Sequence, residues 1–210
     1  EELNKLINQE EFAGISMRGT VEAGNPYKGI AKEIARCGAE LVVMGTKGSS
    51  GLQEVLIGSN TEKVVRYSKC PVITVKAAVK LDSIKNIVFA TNLVEDQTRM
   101  VEELKKVQKL TGATLHLVKV NTPNHFHTDR QVREEFKKFV DKYSFTDYTT
   151  NIYNDATEED GILYFAEDIK ACLIAIGTHG RTGLLHLLSG SIAEDLVNHS
   201  QVPVWTLSMK

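Results

Sequence analysis

The sequence predicts an α/β fold made of two tandem, doubly wound modules, and three observations carry this prediction. The chain repeats itself at an offset of 132 residues, with 39–52 matching 171–184 and the register continuing without a gap to Pro71 and Pro203. Short apolar runs alternate with helical patterns, which is typical of parallel strands joined by crossover helices. Each copy also places a glycine-rich loop between a strand and a helix. We therefore expect two copies of one α/β unit.

Each repeated block reads as strand, glycine loop, helix and strand. Its first strand is a continuous apolar run, the pattern of a strand covered on both faces. A proline opens its last strand because proline ends the preceding helix. The predicted elements are a strand over 41–44, a helix over 61–68 and a strand over 72–75 in the first copy, and a strand over 173–176, a helix over 193–200 and a strand over 204–207 in the second.

The remaining elements complete the second copy but only part of the first. In the second copy they are a strand over 87–90, a helix over 99–110, a strand over 115–120, a helix over 129–142, a strand over 148–153 and a helix over 158–169. In the first copy they are a strand over 14–22 and a helix over 27–36. We expect modules over 1–78 and 84–210, with Phe89 and Trp205 in the core. Since the chain opens on Glu1 in a polar helical stretch, we expect the first module's first two strands to come either from an upstream segment or from another chain.

Composition excludes several classes of function. The net charge of −2 creates no positive field that would attract nucleic acid or anionic lipid without sequence specificity. No apolar run approaches the roughly 20 residues of a membrane-spanning helix, and no signal peptide is visible. Cys37, Cys70 and Cys172 have no paired spacing, which favours a reducing cytoplasm, and the last two are expected as small core residues.

The glycine spacing is the strongest chemical signal in the sequence. Gly45 and Gly48 are followed after nine residues by Gly58 and Ser59, and the same spacing recurs at Gly177, Gly180, Gly190 and Ser191. Glycine lets backbone amides approach a phosphate closely, and a Gly-Ser pair opening a helix presents N–H groups at the positive end of its dipole. The spacing fits neither the dinucleotide fingerprint nor the Walker loop. Glycines that merely turn the chain out of a strand are the alternative, which the duplication at identical spacing disfavours. Ser59 and Ser191 as plain N-caps would be compatible with phosphate binding.

These motifs resemble the C-terminal signature of the universal stress proteins, in the subgroup that binds ATP. The resemblance rests on Ile176-Gly-Thr-His-Gly-Arg-Thr-Gly-Leu, the later Leu-Ser-Gly-Ser and Pro203-Val204, with a matching series in the first copy. It covers 84–210 completely and 13–78 in part. It implies a parallel five-stranded sheet in the order 3-2-1-4-5, with modules that pair through their last strands.

The resemblance also implies a binding site for ATP or another adenine nucleotide, with Mg²⁺ as a candidate companion. Gly177, Gly180, Gly190 and Ser191 would hold the phosphates, helped by the amides of Ile192 and Ala193. Ile176 and Val120 would flank adenine and ribose. Ala90-Thr91-Asn92 stands where the family has a turn ending in an acid, so Asn92 departs from the pattern. Asn92 is either a nucleotide ligand with a neutral hydrogen bond or a turn residue suited to the left-handed conformation.

Other polar residues give weaker signals. His125 and His127 would face one way on a strand and could bind a metal, but the lack of a third nearby ligand favours a solvated loop. Lys47, His179 and Arg181 lie in or beside the glycine loops and either touch phosphates or are surface charges. No hydrolytic constellation is recognisable.

The interpretation is therefore a regulatory protein that acts through nucleotide-dependent association and not as an enzyme. A nucleotide-free interaction module and a slow ATP-hydrolysing enzyme are the alternatives. We expect a homo-oligomer, pairing of 72–75 with 204–207 inside one chain, and at most one nucleotide per chain, bound in the second module.

Overall fold

The computed structural model describes residues 2–46, 57–93, 96–178 and 189–209. The helices are α1 (Glu2–Ile7), α2 (Pro26–Cys37), α3 (Ser59–Tyr67), α4 (Thr98–Thr111), α5 (Asp129–Tyr143), α6 (Glu158–Asp168) and α7 (Ser189–His199), with short 3-10 turns at Glu10–Phe12 and Leu81–Ser83. The strands are β1 (Val42–Gly45), β2 (Val72–Val75), β3 (Asn86–Ala90), β4 (Thr114–Asn121), β5 (Tyr148–Asn154), β6 (Leu173–Thr178) and β7 (Val204–Ser208).

All seven strands form one mixed sheet in the order β1-β2-β7-β6-β3-β4-β5. Neighbours are parallel except β2 and β7, which run antiparallel. The α/β class is confirmed, and the strands expected to pair, 72–75 and 204–207, lie side by side as β2 and β7, so the described strands of the two copies share one seven-stranded sheet in place of two five-stranded ones. The reason is that the last strand of each copy has an open edge, and pairing those edges satisfies backbone groups that would otherwise be left to solvent. Within the second copy the strands lie in the order 3-2-1-4-5.

The joint between β2 and β7 is pseudo-symmetric under the sequence repeat. Val72 lies opposite Thr206, and Thr74 lies opposite Val204. The hydroxyl of Thr74 donates to the Val204 carbonyl at 3.2 Å, and its repeat equivalent Thr206 donates to the Val72 carbonyl at 3.3 Å. Both copies therefore contribute the same residues to the same contact, as expected for an isologous interface.

Helices cover both faces of the sheet. On one face, α4 and α5 bury Leu104 and Phe136 against Phe89 and Trp205. On the other, α3, α6 and α7 bury a second apolar layer that includes Leu196. Phe89 and Trp205 are almost fully buried, which confirms both as core residues.

The cysteines are free thiols. Cys70 is buried, Cys172 is half-buried and Cys37 is exposed. The expected core position is thus confirmed for Cys70, while Cys172 lies at the margin of the core.

Local sequence explains where the helices around the second copy begin and end. The side chain of Thr128 accepts from the Gln131 amide while the Gln131 side chain accepts from the Thr128 amide, so a capping box starts α5. Thr157 caps α6 through the Asp160 amide. Gly112 ends α4 with a φ of 64°, the left-handed conformation that favours glycine.

The predicted strand over 14–22 is wrong, because this segment is irregular and exposed throughout. A strand needs a neighbour to pair its backbone groups, and none of the described elements lies beside this segment in a sheet. The expectation that the run 41–44 is covered on both faces is also wrong. Leu41 and Val43 are 45% and 61% exposed, and among the described strands β1 pairs with β2 alone.

Candidate functional site

The sheet changes its direction of winding between β3 and β6, and we call the carboxyl ends of these two strands the switch-point crevice. From β3 the chain moves outward to β4 and β5, whereas β6 lies on the other side of β3 and leads to β7. Ala90 and Ile176 lie opposite each other at the carboxyl ends of β3 and β6. In open α/β sheets, ligands bind outside the carboxyl ends of the strands at this kind of switch point. The structure therefore brings these two predicted site residues together at its crevice.

The turn after β3 is held by a small polar network. The Asn92 Oδ1 accepts a hydrogen bond from Gln97 Nε2 at 3.1 Å, and the Thr91 hydroxyl donates to Gln97 Oε1 at 3.1 Å. The left-handed residue of this turn is Leu93, with a φ of 64°, so the left-handed interpretation of Asn92 is wrong. Asn92 is instead fixed by its side chain, and Gln97 is the partner that sequence reasoning missed.

The end of β6 combines a close backbone contact with a buried hydroxyl. A Cβ added to Gly177 would lie 3.1 Å from Met209 Cγ, so the glycine lets the C-terminal segment pass close by. Thr178 is only 3% exposed, and its hydroxyl has no hydrogen-bond partner among the described residues. A buried, unpaired hydroxyl is costly unless something binds it.

Beyond Thr178, part of the predicted loop lies outside the described residues. That part includes Gly180. The chain is described again from the start of α7, which contains Gly190 and Ser191 in its first turn. Ala193 is buried and Ile192 is half-buried against the apolar layer of this face. The beginning and the end of the predicted phosphate loop thus belong to β6 and α7.

The first copy repeats these features at the outer strand. Gly45 ends β1, and the buried hydroxyl of Thr46, like that of its equivalent Thr178, has no hydrogen-bond partner in the described part of the chain. Gly58 donates its amide to the Thr46 carbonyl at 3.3 Å and is the N-cap of α3.

Two further residues define how the first loop ends. Ser59 is the first residue of α3, and the Thr61 hydroxyl donates to the Gly45 carbonyl at 3.3 Å. The second copy has Ala193 where the first has Thr61. Gly48 lies outside the described residues.

Val120 lies at the end of β4 under close constraint. A Cβ added to Gly161 in α6 would lie 2.6 Å from Val120 Cγ1 and 3.2 Å from Asp155 Cβ. The glycine therefore lets α6 approach β4 more closely than any other residue would allow. Because valine is stiff at χ1, this contact fixes the apolar surface at the end of β4.

A buried lysine adjoins Val120 on the opposite face of the sheet. Lys119 Nζ donates to Glu135 Oε2 at 2.6 Å and lies 3.2 Å from His127 Nδ1, which is 3.0 Å from Glu135 Oε1. Burial alone would raise the pKa of Glu135, but the hydrogen bonds and charges of Lys119 and His127 outweigh it, so this pKa lies below its ordinary value. This cluster was missed because it depends on which face of α5 packs over β4, and the sequence pattern does not specify that packing.

His125 and His127 lie in the loop between β4 and α5. His125 Nδ1 is 3.4 Å from Glu158 Oε1, whereas His127 faces Glu135 and Lys119. The two imidazoles therefore have different partners. In the part of the chain that the structure describes, no three His, Cys, Asp or Glu side chains form a group suited to a metal ion.

The weaker candidates Lys47, His179 and Arg181 lie outside the described residues. Among the described helices, none is long and apolar enough to span a bilayer.

The parallel strands of the second copy, the switch point between β3 and β6 and the helices on both faces define a doubly wound α/β protein. Comparison with known families is more specific: the model of the universal stress protein family matches residues 1–76 and 83–208. The chain therefore belongs to the universal stress protein family.

Several curated relatives are similar over part of the chain. A universal stress protein of Methanocaldococcus jannaschii is 35% identical over 80 residues, which are 38% of this chain and 47% of the relative. One from Synechocystis is 21% identical over 168 residues, covering 80% of this chain and 57% of the relative. The chain spans about half the length of the curated relatives it matches.

Solved structures resemble almost the entire chain. A universal stress protein from Archaeoglobus fulgidus has a TM-score of 0.77 at 26% identity, covering 99% of this chain and 77% of that one. A Pseudomonas aeruginosa protein assigned to the same family has a TM-score of 0.75 at 23% identity with the same coverages, which shows a common fold.

Proposed function

We propose that the chain binds an adenine nucleotide, with ATP as the first candidate, in the crevice between β3 and β6. The observation that supports this best is the coincidence of three features at one point: a topological switch point, a glycine-spaced loop that leads into α7, and the buried, unpaired hydroxyl of Thr178. A phosphate group supplies acceptors for such a hydroxyl and for the free amides of a helix N-terminus.

In this proposal the phosphates lie against the loop between β6 and α7. Gly177 and Gly180 leave room for the backbone to approach them, and Gly190 and Ser191 present the first amides of α7. The amides of Ile192 and Ala193 follow in the same turn. Mg²⁺ would accompany the phosphates as their counter-ion.

The base and ribose would occupy the other side of the crevice. Ala90 and Ile176 form its apolar floor, and Val120 forms a wall on the next strand. Asn92 offers an amide group to the ribose or the base, although its Oδ1 already accepts from Gln97. A neutral amide binds hydroxyl groups less strongly than the carboxylate that the family pattern has here.

We infer that one nucleotide binds per chain. In the first copy, Gly45 ends β1 and Gly58 is the N-cap of α3. Strand β1 lies at the margin of the sheet, with β2 on one side and no described strand on the other. A switch-point crevice needs two neighbouring parallel strands from which the chain continues in opposite directions along the sheet. Within the described residues, the first copy therefore has no second strand to form the wall that would hold the base.

The two modules have different roles in this proposal. We propose a first module over 1–78 that supports a second, nucleotide-binding module over 84–210. We also propose that the protein works in the cytoplasm by changing its association with partners when nucleotide binds, without turnover of the nucleotide.

Calorimetric titration and thermal unfolding with ATP, ADP and AMP test the proposal. A ligand that binds only the native state raises the free energy of unfolding by RT ln(1 + [L]/Kd), and the unfolding temperature rises with it. We expect one nucleotide per chain, lost in Gly190→Val and retained in the matched variant Gly58→Val. Circular dichroism of both variants shows whether they fold.

Three outcomes would contradict parts of the proposal. No stabilisation by any adenine nucleotide would leave a nucleotide-free interaction module. Two equivalent nucleotides per chain would refute the assignment to the second copy alone. Sustained phosphate release above blank would make the protein a slow ATPase.

A further inference from the structure

An ion pair crosses the joint between the two copies next to the proposed phosphate loop. Arg66, near the end of α3, pairs through its guanidinium with the carboxylate of Glu194 in the first half of α7. Their side chains are 22% and 20% exposed, so the pair is largely shielded from solvent. Glu194 follows Ser191 by three residues, less than one helical turn of about 5.4 Å.

A carboxylate at this place opposes the binding of a phosphate. Burial raises the pKa of Glu194, and the nearby charges of Glu62 and Asp195 act in the same direction, while Arg66 opposes them. A negative charge within a few ångströms of a phosphate repels it strongly in a partly buried setting. The favourable dipole at the start of α7 would be offset unless Glu194 is neutralised.

Among the described residues, this ion pair has no counterpart on the other side of the repeat. In the repeat, Arg66 corresponds to Asn198, and Glu194 corresponds to Glu62. The second copy therefore has a side-chain amide where the first copy has a guanidinium. Asn198 has another role: its Oδ1 accepts from the Ile57 amide at 2.6 Å.

Asn198 also contacts the end of β2 through its backbone, because Lys76 Nζ donates to the Asn198 carbonyl at 2.5 Å. Asn198 therefore fixes the chain just before Gly58, where the first loop enters α3. The interface is symmetric in backbone and asymmetric in charge.

We propose that Arg66, contributed by the first copy, is a positioning residue for the nucleotide site of the second. It neutralises Glu194 and holds the first turns of α7 against α3, so that the amides at Gly190 and Ser191 face the crevice with a net positive field. This inference rests on the proposed nucleotide site and adds the dependence of that site on the neighbouring module.

Nucleotide titration of the full chain tests the role of Arg66. We expect Arg66→Ala to weaken ATP binding about tenfold and Arg66→Lys to weaken it less, since a lysine keeps the charge but not the planar fork. Lys63→Ala, which removes an exposed cation from the same helix, should bind ATP as the parent does.

The decisive variant is Arg66→Ala combined with Glu194→Gln. If Arg66 acts by neutralising Glu194, removing both charges restores affinity to within about twofold of the parent. A purely structural role predicts instead that the double variant binds as poorly as Arg66→Ala, because the contact is still lost. The carboxyl resonance of Glu194 in isotope-labelled protein should also titrate at higher pH in Arg66→Ala.

The possible failures are distinguishable. If the parent binds ATP and Arg66→Ala binds it equally well, the inference about Arg66 is wrong and the nucleotide site stands. If the parent chain binds no nucleotide, the inference about Arg66 and the proposed nucleotide site are both wrong. Should Arg66→Ala fail to fold, Arg66→Lys and Glu194→Gln decide the matter, because Glu194→Gln alone should bind ATP at least as tightly as the parent.

Discussion

Asn92 is the residue at which this chain departs most clearly from its family's site. Its Oδ1 accepts from Gln97 Nε2, and an aspartate in the same position would keep that acceptor and add a charge. We therefore expect Asn92→Asp to tighten ATP binding by about 1 kcal/mol, the gain of a charge-assisted over a neutral hydrogen bond. Titration calorimetry checks it, with Asn4→Asp on exposed α1 as the charge-matched control. Unchanged or weaker binding would remove Asn92 from the ligand set.

Lys119 and Glu135 form the most buried ion pair described in the second copy, with side chains 9% and 27% exposed. Breaking a buried pair leaves an uncompensated charge, and the partial exposure of Glu135 moderates the cost. We expect Glu135→Ala, which strands the more buried Lys119 charge, to destabilise the fold by about 2 kcal/mol, and Lys119→Met, which leaves the less buried Glu135 carboxylate beside His127, by about 1 kcal/mol. Chemical unfolding measures both, with the exposed Glu134→Ala as control.

The same pair predicts a pH dependence. The pKa of Glu135 is lowered in the folded state, so its contribution is fully present above the unfolded pKa of about 4.3 and is lost as the pH falls through the folded value. The stability difference between parent and Glu135→Ala should therefore shrink below about pH 4. A difference that is independent of pH would contradict the ion pair.

Residues also show where sequence reasoning ends. Patterns indicated Ala90, Ile176 and Asn92 as neighbours of one crevice, since a family motif fixes their places on the sheet. The pairing of Lys119 with Glu135 had no such signal, because it depends on which helix covers which strand. The left-handed turn residue was also misassigned, since Leu93 takes that conformation under the constraint of the Thr91 and Gln97 network.

Among the elements, α6 shows how a single glycine sets a helix-to-strand distance. Gly161→Ala places a Cβ 2.6 Å from Val120, so α6 or β4 must move. We expect a loss of about 1–3 kcal/mol of stability and weaker ATP binding, because Val120 is part of the crevice wall. Thermal unfolding and titration measure the two effects.

The repeat provides the matched control for this change. Gly29 is the equivalent of Gly161 in α2, and its added Cβ would meet only Glu22 Cβ, at 3.4 Å. Gly29→Ala should therefore be neutral or stabilise the fold by up to about 1 kcal/mol through helix propensity. Equal losses in both variants would show that the close contact with β4 is not the cause.

Elements were predicted well wherever a pattern agreed with the surroundings, and poorly where it did not. The run 72–75 became β2 with the predicted bounds. The runs 41–44 and 173–176 look alike, yet β6 lies between two strands whereas β1 has one neighbour. The burial of a strand depends on the strands and helices that pack against it, and the strand's own sequence does not specify them.

At the scale of the molecule, β1 leaves one edge of the sheet open in the described structure. Open strand edges with apolar side chains promote association, and Val43 is 61% exposed. We expect Val43→Lys to reduce self-association without lowering the unfolding temperature. Sedimentation over a range of concentrations measures it, with Val21→Lys, at an exposed position outside any strand, as control. A parent chain that stays monomeric at every concentration would contradict the expected homo-oligomer.

The antiparallel joint between β2 and β7 has a geometric consequence for any large partner. Because the strand direction reverses there, the carboxyl ends of the first copy's strands lie on the side where the second copy has its amino ends. A flat body that approaches the carboxyl ends of β3 and β6 meets the starts of β1 and β2, whereas the carboxyl ends of β1 and β2 lie on the far side. The molecule is therefore two-faced, and a docked body would cover the carboxyl ends of one copy's strands while those of the other copy stay open to solvent.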